Sequence, residues 1–294
     1  MGLKKHVLET NVSTITIFIN LKLPQKTMAR VIFLGTGGSS AVINKQMRSS
    51  GGIILQIDEY QFHLDPGPGS LNKAKEIGVN LLDTTGILIS HNHINHCNDL
   101  NVVVDAMTHA GIEQRGVLIA SKSVLQPLDG SHPFLTEHHK KMIERIIPAE
   151  KNHKVGLDLV EIHTLPADHT DETAIGFKFF CPKFTLSYSG DTALTPELLQ
   201  ALTGTDLLIL NVPYPGNKAT GKNLDSESAM KIIAHVKPRL AILTHFGLDM
   251  IKADPLMEAR EIQRITGVQT IAAYDGLIIA PGGWESIRSP VKGY

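Results

Sequence analysis

Residues 86–97 read GILISHNHINHC, a short apolar run that ends in three closely spaced histidines. The run has the length and the content typical of a buried strand. In an extended turn, side chains two positions apart point the same way, so His91 and His93 can share one metal ion. His96 lies one step further, at the start of a helix, and can face a second ion nearby. Imidazole is the ligand that zinc prefers and it also suits iron, so this stretch predicts a metal site at the end of a strand.

Three further apolar runs also end in residues that can hold a metal ion. Ligands at strand ends are held by a rigid sheet, and the loops beyond those ends are where α/β architectures place their sites. A carboxylate can bridge two ions. A bridged pair of ions activates water and stabilises both the attacking and the leaving oxygen of a hydrolysis. The runs and the residues that follow them are Val160–Leu165 with Asp168 and His169, Phe184–Ser189 with Asp191, and Leu240–Thr244 with His245.

The composition excludes several classes of protein. A formal net charge of -1 excludes a broad basic field for gripping nucleic acid, although a local basic patch would not show in the sum. Two cysteines, Cys97 and Cys181, are too few for a disulfide framework or a thiolate metal cluster, and they favour a cytoplasmic protein. The apolar stretch Ile15–Leu23 is too short to span a bilayer and has no cleavage site after it, so we expect no membrane association.

From Ala29 onward, short apolar runs alternate with Gly/Pro/Asp turns and with helical stretches. This alternation predicts an α/β (α+β) fold with a sheet core and helices outside it. We expect one domain over residues 29–294, preceded by an N-terminal extension at residues 1–28. The predicted strands are Val31–Leu34, Gly52–Ile57, Ile87–Ile89, Val117–Ala120, Phe184–Tyr188, Leu207–Leu210 and Leu240–Leu243. The predicted helices are Asn98–Ala110, Thr136–Arg145, Asp225–Val236 and Asp254–Thr266.

The ordered set of motifs resembles the metallo-β-lactamase superfamily, whose signature is H-x-H-x-D-H followed by a lone His, a lone Asp and a last His. Residues 29–280 follow that order. Gly-Thr-Gly-Gly at 35–38 and Leu-Asp-Pro-Gly-Pro-Gly at 64–69 fit the pattern, while Ser-Gly-Asp-Thr at 189–192 and Leu-Thr-His-Phe-Gly at 243–247 look like the ribonuclease Z branch. The resemblance implies a four-layer αβ/βα sandwich with the metal ions at one edge.

The resemblance also implies a set of ligands and cofactors. Two divalent ions are expected, with zinc first and manganese or iron as alternatives. Asp65 would hold one histidine in orientation from behind. A homodimer is common among similar proteins. The implied ligands are His91, His93 and His169 for one ion, His96 and His245 for the other, and Asp191 as the bridge.

Two positions of the catalytic set, which comprises Asp191, Asn95 and Asn223, depart from the family pattern. Asn95 stands where the family has an aspartate that binds the second ion and assists the nucleophile, so the second site should be weaker or altered. Asn223 falls where phosphodiesterase relatives carry a histidine that protonates the leaving group, which an amide cannot do near pH 7. Asp99 and His163 are the candidates to compensate.

The spacing between His169 and Asp191 bears on the substrate. Ribonuclease Z enzymes that process transfer RNA insert a flexible arm at this point, and this chain has no room for one. The compact spacing resembles the arm-less phosphodiesterases, which implies that a metal-activated water cleaves a phosphodiester, either a small molecule or a nucleic acid. Two alternatives stay open: a lactonase or thioesterase-type hydrolase on the same fold, and a catalytically degenerate metal-binding relative, which Asn95 and Asn223 favour.

Overall fold

The strands form two seven-stranded sheets, each antiparallel along one side and parallel along the other. The structure is a computed structural model that describes residues 29–128, 132–157 and 159–281. The extension expected at residues 1–28 and the last residues of the domain expected at 29–294 lie outside this description. In order across the first sheet, the strands are β14 (Ile278–Ile279), β1 (Ala29–Phe33), β2 (Ile53–Ile57), β3 (Tyr60–Leu64), β4 (Gly86–Ile89), β5 (Arg115–Ser121) and β6 (Ile143–Ala149). Across the second sheet they are β13 (Thr270–Ala272), β12 (Leu240–Thr244), β11 (Leu207–Asn211), β10 (Thr185–Tyr188), β9 (Ile175–Phe180), β8 (Val160–Pro166) and β7 (Lys154–Leu157).

The two sheets pack face to face and helices cover their outer faces, which makes four layers. Side chains alternate across each strand: in β4, Leu88 enters the core between the sheets, whereas Ile87 and Ile89 pack under the helices. The expected α/β architecture is therefore confirmed. No helix in the described ranges is long and apolar enough to cross a membrane. The helices are α1 (Ser40–Asn44), α2 (Ser70–Ile77), α3 (Ile94–Cys97), α4 (Leu100–Met107), α5 (Lys122–Leu125), α6 (Glu137–Lys140), α7 (Pro196–Leu202), α8 (Ser226–Val236), α9 (Leu248–Ala253) and α10 (Pro255–Thr266), with a 3-10 turn at Leu81–Asp83.

The predicted strands each fall on an observed strand, and two predicted helices are confirmed nearly to the residue. The helices α8 and α10 begin where the side chains of Asp225 and Asp254 accept hydrogen bonds from backbone N–H groups of the first turn. Such caps satisfy donors that have no partner inside the helix, which explains why aspartate marks both starts. The helix predicted at Asn98–Ala110 is confirmed in its central part as α4.

The helix predicted at Thr136–Arg145 is wrong over its second half. Helix α6 ends at Lys140, and from Ile143 the chain forms β6, which pairs in parallel with β5. The segment holds several isoleucines, and β-branched side chains pack well on a pleated surface. An open ladder position beside β5 therefore outweighed a helical pattern of charged residues, because tertiary pairing overrides local propensity.

A main-chain seam joins the two sheets beside the strand ends. The N–H of Phe246, after β12, donates to the Thr36 carbonyl at 2.7 Å, and the N–H of Gly38 donates back to the Phe246 carbonyl at 3.0 Å. Gly38 lies so close that an added Cβ would stand 2.0 Å from the His245 carbonyl oxygen. This seam fixes the loop after β1 against the loop that carries His245, and it requires glycine at position 38.

Candidate metal centre

The side chains expected to bind metal meet at one edge of the sandwich, where strands of both sheets end. In the first sheet, β4 runs directly into Ser90 and His91. In the second, β12 ends at Thr244, and His245 follows in the left-handed conformation with a φ of 65°. Because the carboxyl ends of parallel strands lie at one edge, the residues that follow them come into contact. The structure brings together all six expected residues, which are His91, His93, His96, His169, Asp191 and His245.

Three of these histidines converge on one point. His91 Nε2 lies 2.9 Å from His93 Nδ1, and His169 Nε2 lies 3.3 Å from the same His93 atom. The ligand atoms of the three residues are all within 4.8 Å of one another. A tetrahedral zinc ion with Zn–N bonds of about 2.1 Å separates its ligands by roughly 3.4 Å, so the trio has the spacing of a metal site.

Asp191 Oδ2 lies at the centre of a second group. This oxygen is 3.1 Å from His245 Nε2 and 3.4 Å from His96 Nε2. It is also 4.0 Å from His91 Nε2 and 4.0 Å from His169 Nε2. The carboxylate is thus within reach of histidines from both groups, which is the placement that a carboxylate between two ions requires.

Asp65 lies behind these groups, directly after β3, and accepts hydrogen bonds on both oxygens. Oδ1 accepts from the Ser90 N–H at 2.7 Å, and Oδ2 accepts from the hydroxyls of Ser90 and Tyr188, each at 2.7 Å. Oδ2 also lies 2.8 Å from His96 Nδ1. Because an ionised carboxylate can only accept, His96 carries a proton on Nδ1, and its Nε2 is directed at Asp191.

Two more histidines are oriented by oxygen atoms behind them. The Ser90 hydroxyl donates to Asp65, so it accepts from His91 Nδ1, which lies 2.9 Å away. The Lys222 carbonyl accepts from His169 Nδ1 at 3.0 Å. In each ring the proton is therefore on Nδ1 and the Nε2 lone pair faces the centre. Outer partners of this kind fix the tautomer of ligand histidines in metal sites.

The pKa values of the cluster follow from burial and from neighbouring charges. Burial lowers the pKa of His91 and of His93, and the positive charge of neighbouring histidines lowers both further. Burial also acts against the charged form of His96, but the carboxylates of Asp191 and Asp65 outweigh it and raise this pKa to about 10. Burial alone would raise the pKa of Asp191, whereas the histidines that face it hold it well below its usual range. His91 and His93 are therefore neutral at pH 7, the form in which imidazole binds metal.

A buried nitrogen tests whether metal ions fit this cluster. His96 Nε2 is buried and lies 3.4 Å from Asp191 Oδ2, but it makes no contact of hydrogen-bond geometry in the described part of the chain. Leaving a buried polar atom unpaired costs about 1–3 kcal/mol, and a cation coordinated at this nitrogen would satisfy it. Imidazole nitrogens around one carboxylate form a donor set that suits zinc, iron and manganese. The residues present therefore fit divalent metal ions.

The two asparagines of the catalytic set both line the cleft above the cluster. Asn95 Nδ2 lies 3.4 Å from His245 Nε2. Asn223 Nδ2 donates to the carbonyls of Thr220 at 2.9 Å and of Gly221 at 3.1 Å, so both amide hydrogens are used inside its own turn. Neither amide can exchange a proton near neutral pH, and Asn223 has no free hydrogen to offer a leaving group.

The residues considered as compensation lie elsewhere. The Asp99 carboxylate accepts hydrogen bonds from backbone N–H groups at the start of α2, where it caps that helix. The His163 ring contacts Glu161 on the surface of β8. Cys97 follows His96 in sequence but donates its thiol hydrogen to the His93 carbonyl, and burial raises its pKa. None of these three side chains lines the cleft.

An open cleft of about 630 Å³ leads from solvent to His93, His169 and Asp191. This volume lies in the usual range of small-molecule sites, roughly 300–1,000 Å³. Tyr214 and Leu248 give part of the wall an apolar character. None of the described residues that line the cleft is a lysine or an arginine. The cleft therefore suits a compact ligand better than a long polyanion.

Three polar residues that support the cluster escape a reading of the motifs alone. These are Ser90, Tyr188 and Asn211, all buried beneath the histidines. Asn211 Nδ2 donates to Asp191 Oδ1 at 2.7 Å and to the Tyr188 hydroxyl oxygen at 3.0 Å. The signal that could have found them is shared: each is a polar residue at the very end of an apolar strand.

Comparison with known proteins gives a consistent set of matches. The family model described as a beta-lactamase superfamily domain matches residues 60–246. An uncharacterised protein of Methanocaldococcus jannaschii is 29% identical over 249 residues, covering 84% of this chain and 93% of that protein. A ribonuclease Z of Sulfolobus acidocaldarius is 26% identical over 224 residues, covering 62% of this chain and 75% of that one. A metallo-beta-lactamase fold protein from Bacillus subtilis shares the fold with a TM-score of 0.71 at 16% identity, covering 87% of this chain and 100% of that structure.

Proposed function

The chain belongs to the metallo-β-lactamase superfamily of hydrolases, in its ribonuclease Z-like and phosphodiesterase branch, and on that premise we propose that it hydrolyses small phosphodiesters with the help of two divalent metal ions. The observation that carries the proposal is the position of Asp191 Oδ2 among Nε2 atoms of both histidine groups. We assign His91, His93 and His169 to one ion, His96 and His245 to the other, and Asp191 to both, with zinc as the first candidate.

In this mechanism the chain holds its metal-binding side chains in place before the substrate binds. Divalent ions held there would supply Lewis acidity, which activates water and neutralises the negative charge that develops on the phosphoryl oxygens. Asp65 and Ser90 hold the rings of His96 and His91 so that their Nε2 atoms face the centre of the cluster. The Asn95 amide can donate a hydrogen bond to a phosphoryl oxygen but cannot take up a proton. Reaction is therefore expected to depend on the leaving group's own stability as an anion.

The cleft supports a small substrate over a nucleic acid. Binding of nucleic acid rests on lysine and arginine side chains that neutralise successive phosphates. The described residues of the cleft wall offer neither, and Lys222 nearby is paired with Asp168 at 2.9 Å. Tyr214 and Leu248 can instead contact an apolar group esterified to the phosphate. A phosphodiester with one compact organic group at each oxygen fits these features.

The test loads the protein with zinc, manganese or iron and measures its hydrolysis of five substrates. These are bis(p-nitrophenyl) phosphate, a nucleoside 2′,3′-cyclic phosphate, a single-stranded RNA, a lactone and a thioester. We expect turnover of the first two and little of the others. The Asp191→Asn variant should lose at least about 100-fold in kcat/KM, beyond the effect of losing an outer partner. Faster hydrolysis of the lactone or thioester than of both phosphodiesters would refute the proposal.

The asparagines at the cleft also allow the degenerate alternative, and two variants separate it from the proposal. If the wild type is an enzyme, Asn223→His should raise kcat most for alkyl leaving groups and little for p-nitrophenolate, which leaves without a proton. A wild type that is inert with every substrate, combined with hydrolysis by Asn95→Asp, would instead favour a metal-binding relative that has lost catalysis. Elemental analysis of both proteins shows whether metal binding itself survives.

A further inference from the structure

Asn211 is the last residue of β11, at the same strand edge as the cluster but beneath it. Its backbone pairs in register with Thr244 of β12, the residue before His245. The side chain is almost wholly buried, with 1% of its surface exposed. No motif of the sequence points to this residue, and it lies too deep to line the cleft.

The hydrogen-bond direction at Asn211 is fixed by its neighbours. Asp191 Oδ1 lies 2.7 Å from the amide, and an ionised carboxylate can only accept, so the amide nitrogen must face it. The second hydrogen of the same nitrogen is directed at the Tyr188 hydroxyl oxygen at 3.0 Å. The Tyr188 hydroxyl then donates its own hydrogen to Asp65 Oδ2 at 2.7 Å.

One buried chain of hydrogen bonds therefore joins the two carboxylates of the site. From this geometry we infer that Asn211 is a positioning residue that holds Asp191 so that only Oδ2 faces the metal ions, and that ties this carboxylate through Tyr188 to Asp65. The inference rests on the proposed metal-binding function and assigns to it a residue that determines how the bridging carboxylate binds.

The amide oxygen of Asn211 supports this role. Asn211 Oδ1 is buried and has no hydrogen-bond partner in the described part of the chain. Buried polar atoms in folded proteins are usually paired, so an unpaired one calls for a reason. The amide keeps this orientation because turning it over would place its oxygen against Asp191 and leave two acceptors facing each other. The contact with Asp191 thus outweighs an unsatisfied acceptor.

The test compares the full-length wild type with Asn211→Leu, Tyr188→Phe and a control, Asn101→Leu. Leucine resembles asparagine in shape but donates nothing. The control residue Asn101 also makes structural hydrogen bonds through its amide, to Phe134 and Thr136, neither of which belongs to the cluster. Each metal-free protein is titrated with cobalt(II), and the visible absorption bands, the number of bound ions and their dissociation constants are recorded.

We expect two bound ions in the wild type. In Asn211→Leu the second ion should bind roughly 10- to 100-fold more weakly, and the cobalt bands should shift. Tyr188→Phe keeps the contact between Asn211 and Asp191, so its effect should be smaller but in the same direction. Asn101→Leu should lower the melting temperature without changing affinity or spectrum.

The outcomes are separable. Wild-type affinity and spectrum in a folded Asn211→Leu protein would overturn the inference while leaving the proposed function intact. A wild type that binds no cobalt would refute the proposed metal site itself. If Asn211→Leu does not fold, Tyr188→Phe decides: unchanged binding and spectrum there overturn the coupling between Asp191 and Asp65, and a weakened second ion supports it.

Discussion

Two pairs of histidines in the cluster are held in opposite ways. The inner pair, His91 and His96, is almost fully buried and is fixed by one carboxylate, Asp65, which contacts His96 directly and reaches His91 through Ser90. The outer pair, His93 and His169, lines the cleft and is supported from loops. The inner pair is therefore held by groups at the ends of sheet strands, whereas the outer pair is held by contacts between loops.

The support of the outer pair comes from two loop contacts. The Lys222 carbonyl accepts from His169 Nδ1 at 3.0 Å. Asp171, two residues after His169, accepts from the N–H of Asn92 at 3.1 Å and from the Ser123 hydroxyl at 2.5 Å. This carboxylate thereby joins the loop of His169 to the residue between His91 and His93. Loss of these contacts should lower the affinity for one metal ion and leave the fold nearly unchanged.

The largest effect is expected from Asp65→Asn, which alters the support of the inner pair. In either orientation the amide nitrogen would face a group that already donates: the Ser90 N–H if it replaces Oδ1, or the Tyr188 hydroxyl and His96 if it replaces Oδ2. We expect a loss of about 3–5 kcal/mol in the free energy of unfolding, as when one partner of a buried charged pair is removed, together with loss of both ions. Urea denaturation and elemental analysis measure the two effects. A loss below about 1 kcal/mol with both ions retained would contradict the assignment of Asp65.

Metal removal should rank second. A site filled at a hundred times its dissociation constant stabilises the folded state by about 2.7 kcal/mol, so chelation should lower the melting temperature of the wild type by several degrees. The shift should vanish in Asp65→Asn, since that variant has no metal to lose. Calorimetry with and without chelator checks both statements, and an equal shift in the two proteins would show that metal binding does not require Asp65.

A smaller effect is expected from Asp171→Asn, which tests the outer pair. The carboxylate is half-buried and also accepts from the N–H and the hydroxyl of Thr173. Hydrogen bonds to a charged group contribute roughly 1.5–3 kcal/mol, and the amide retains part of them. We expect a loss of about 1–2 kcal/mol, one ion bound as in the wild type and the other more weakly. Loss of both ions would erase the distinction between the two pairs.

The smallest effect is expected at Lys222, where two variants separate backbone from side chain. Lys222 adopts a φ of 59°, which suits glycine and strains a β-branched residue. Lys222→Gly keeps the carbonyl beneath His169 and loses only the exposed contact with Asp168, so affinity should change by less than about twofold. Lys222→Val should displace the carbonyl and weaken, several-fold, the binding of the ion assigned to His93 and His169. Metal titration of both variants decides, and equal affinities would assign no role to the carbonyl.

The sequence predicted the part of the site that strand ends create. Each expected ligand follows an apolar run that forms a buried strand. Residues that follow such strands lie at the edge of the sheet, where they can meet. Their place at strand ends marks Asn211 and Tyr188, but their role as a support could not be predicted. It arises only when parallel pairing of β10 with β11 brings the two side chains together and the packing of the two sheets brings Tyr188 to Asp65. The helix expected at Thr136–Arg145 failed for the same reason. Its charged residues resemble an exposed helix until β5 offers a ladder position to Ile143 and the residues that follow.

The seam between Phe246 and the loop after β1 has a consequence for engineering. Main-chain groups make both of its hydrogen bonds, so it draws no strength from the side chains of the residues that follow Gly38. Two of those neighbours, Ser39 and Ser40, lie on the cleft wall. A library that varies Ser39 and Ser40 while leaving Gly38 untouched can therefore reshape substrate preference without loosening the scaffold. Positions 39 and 40, which can vary, thus lie next to Gly38, which cannot.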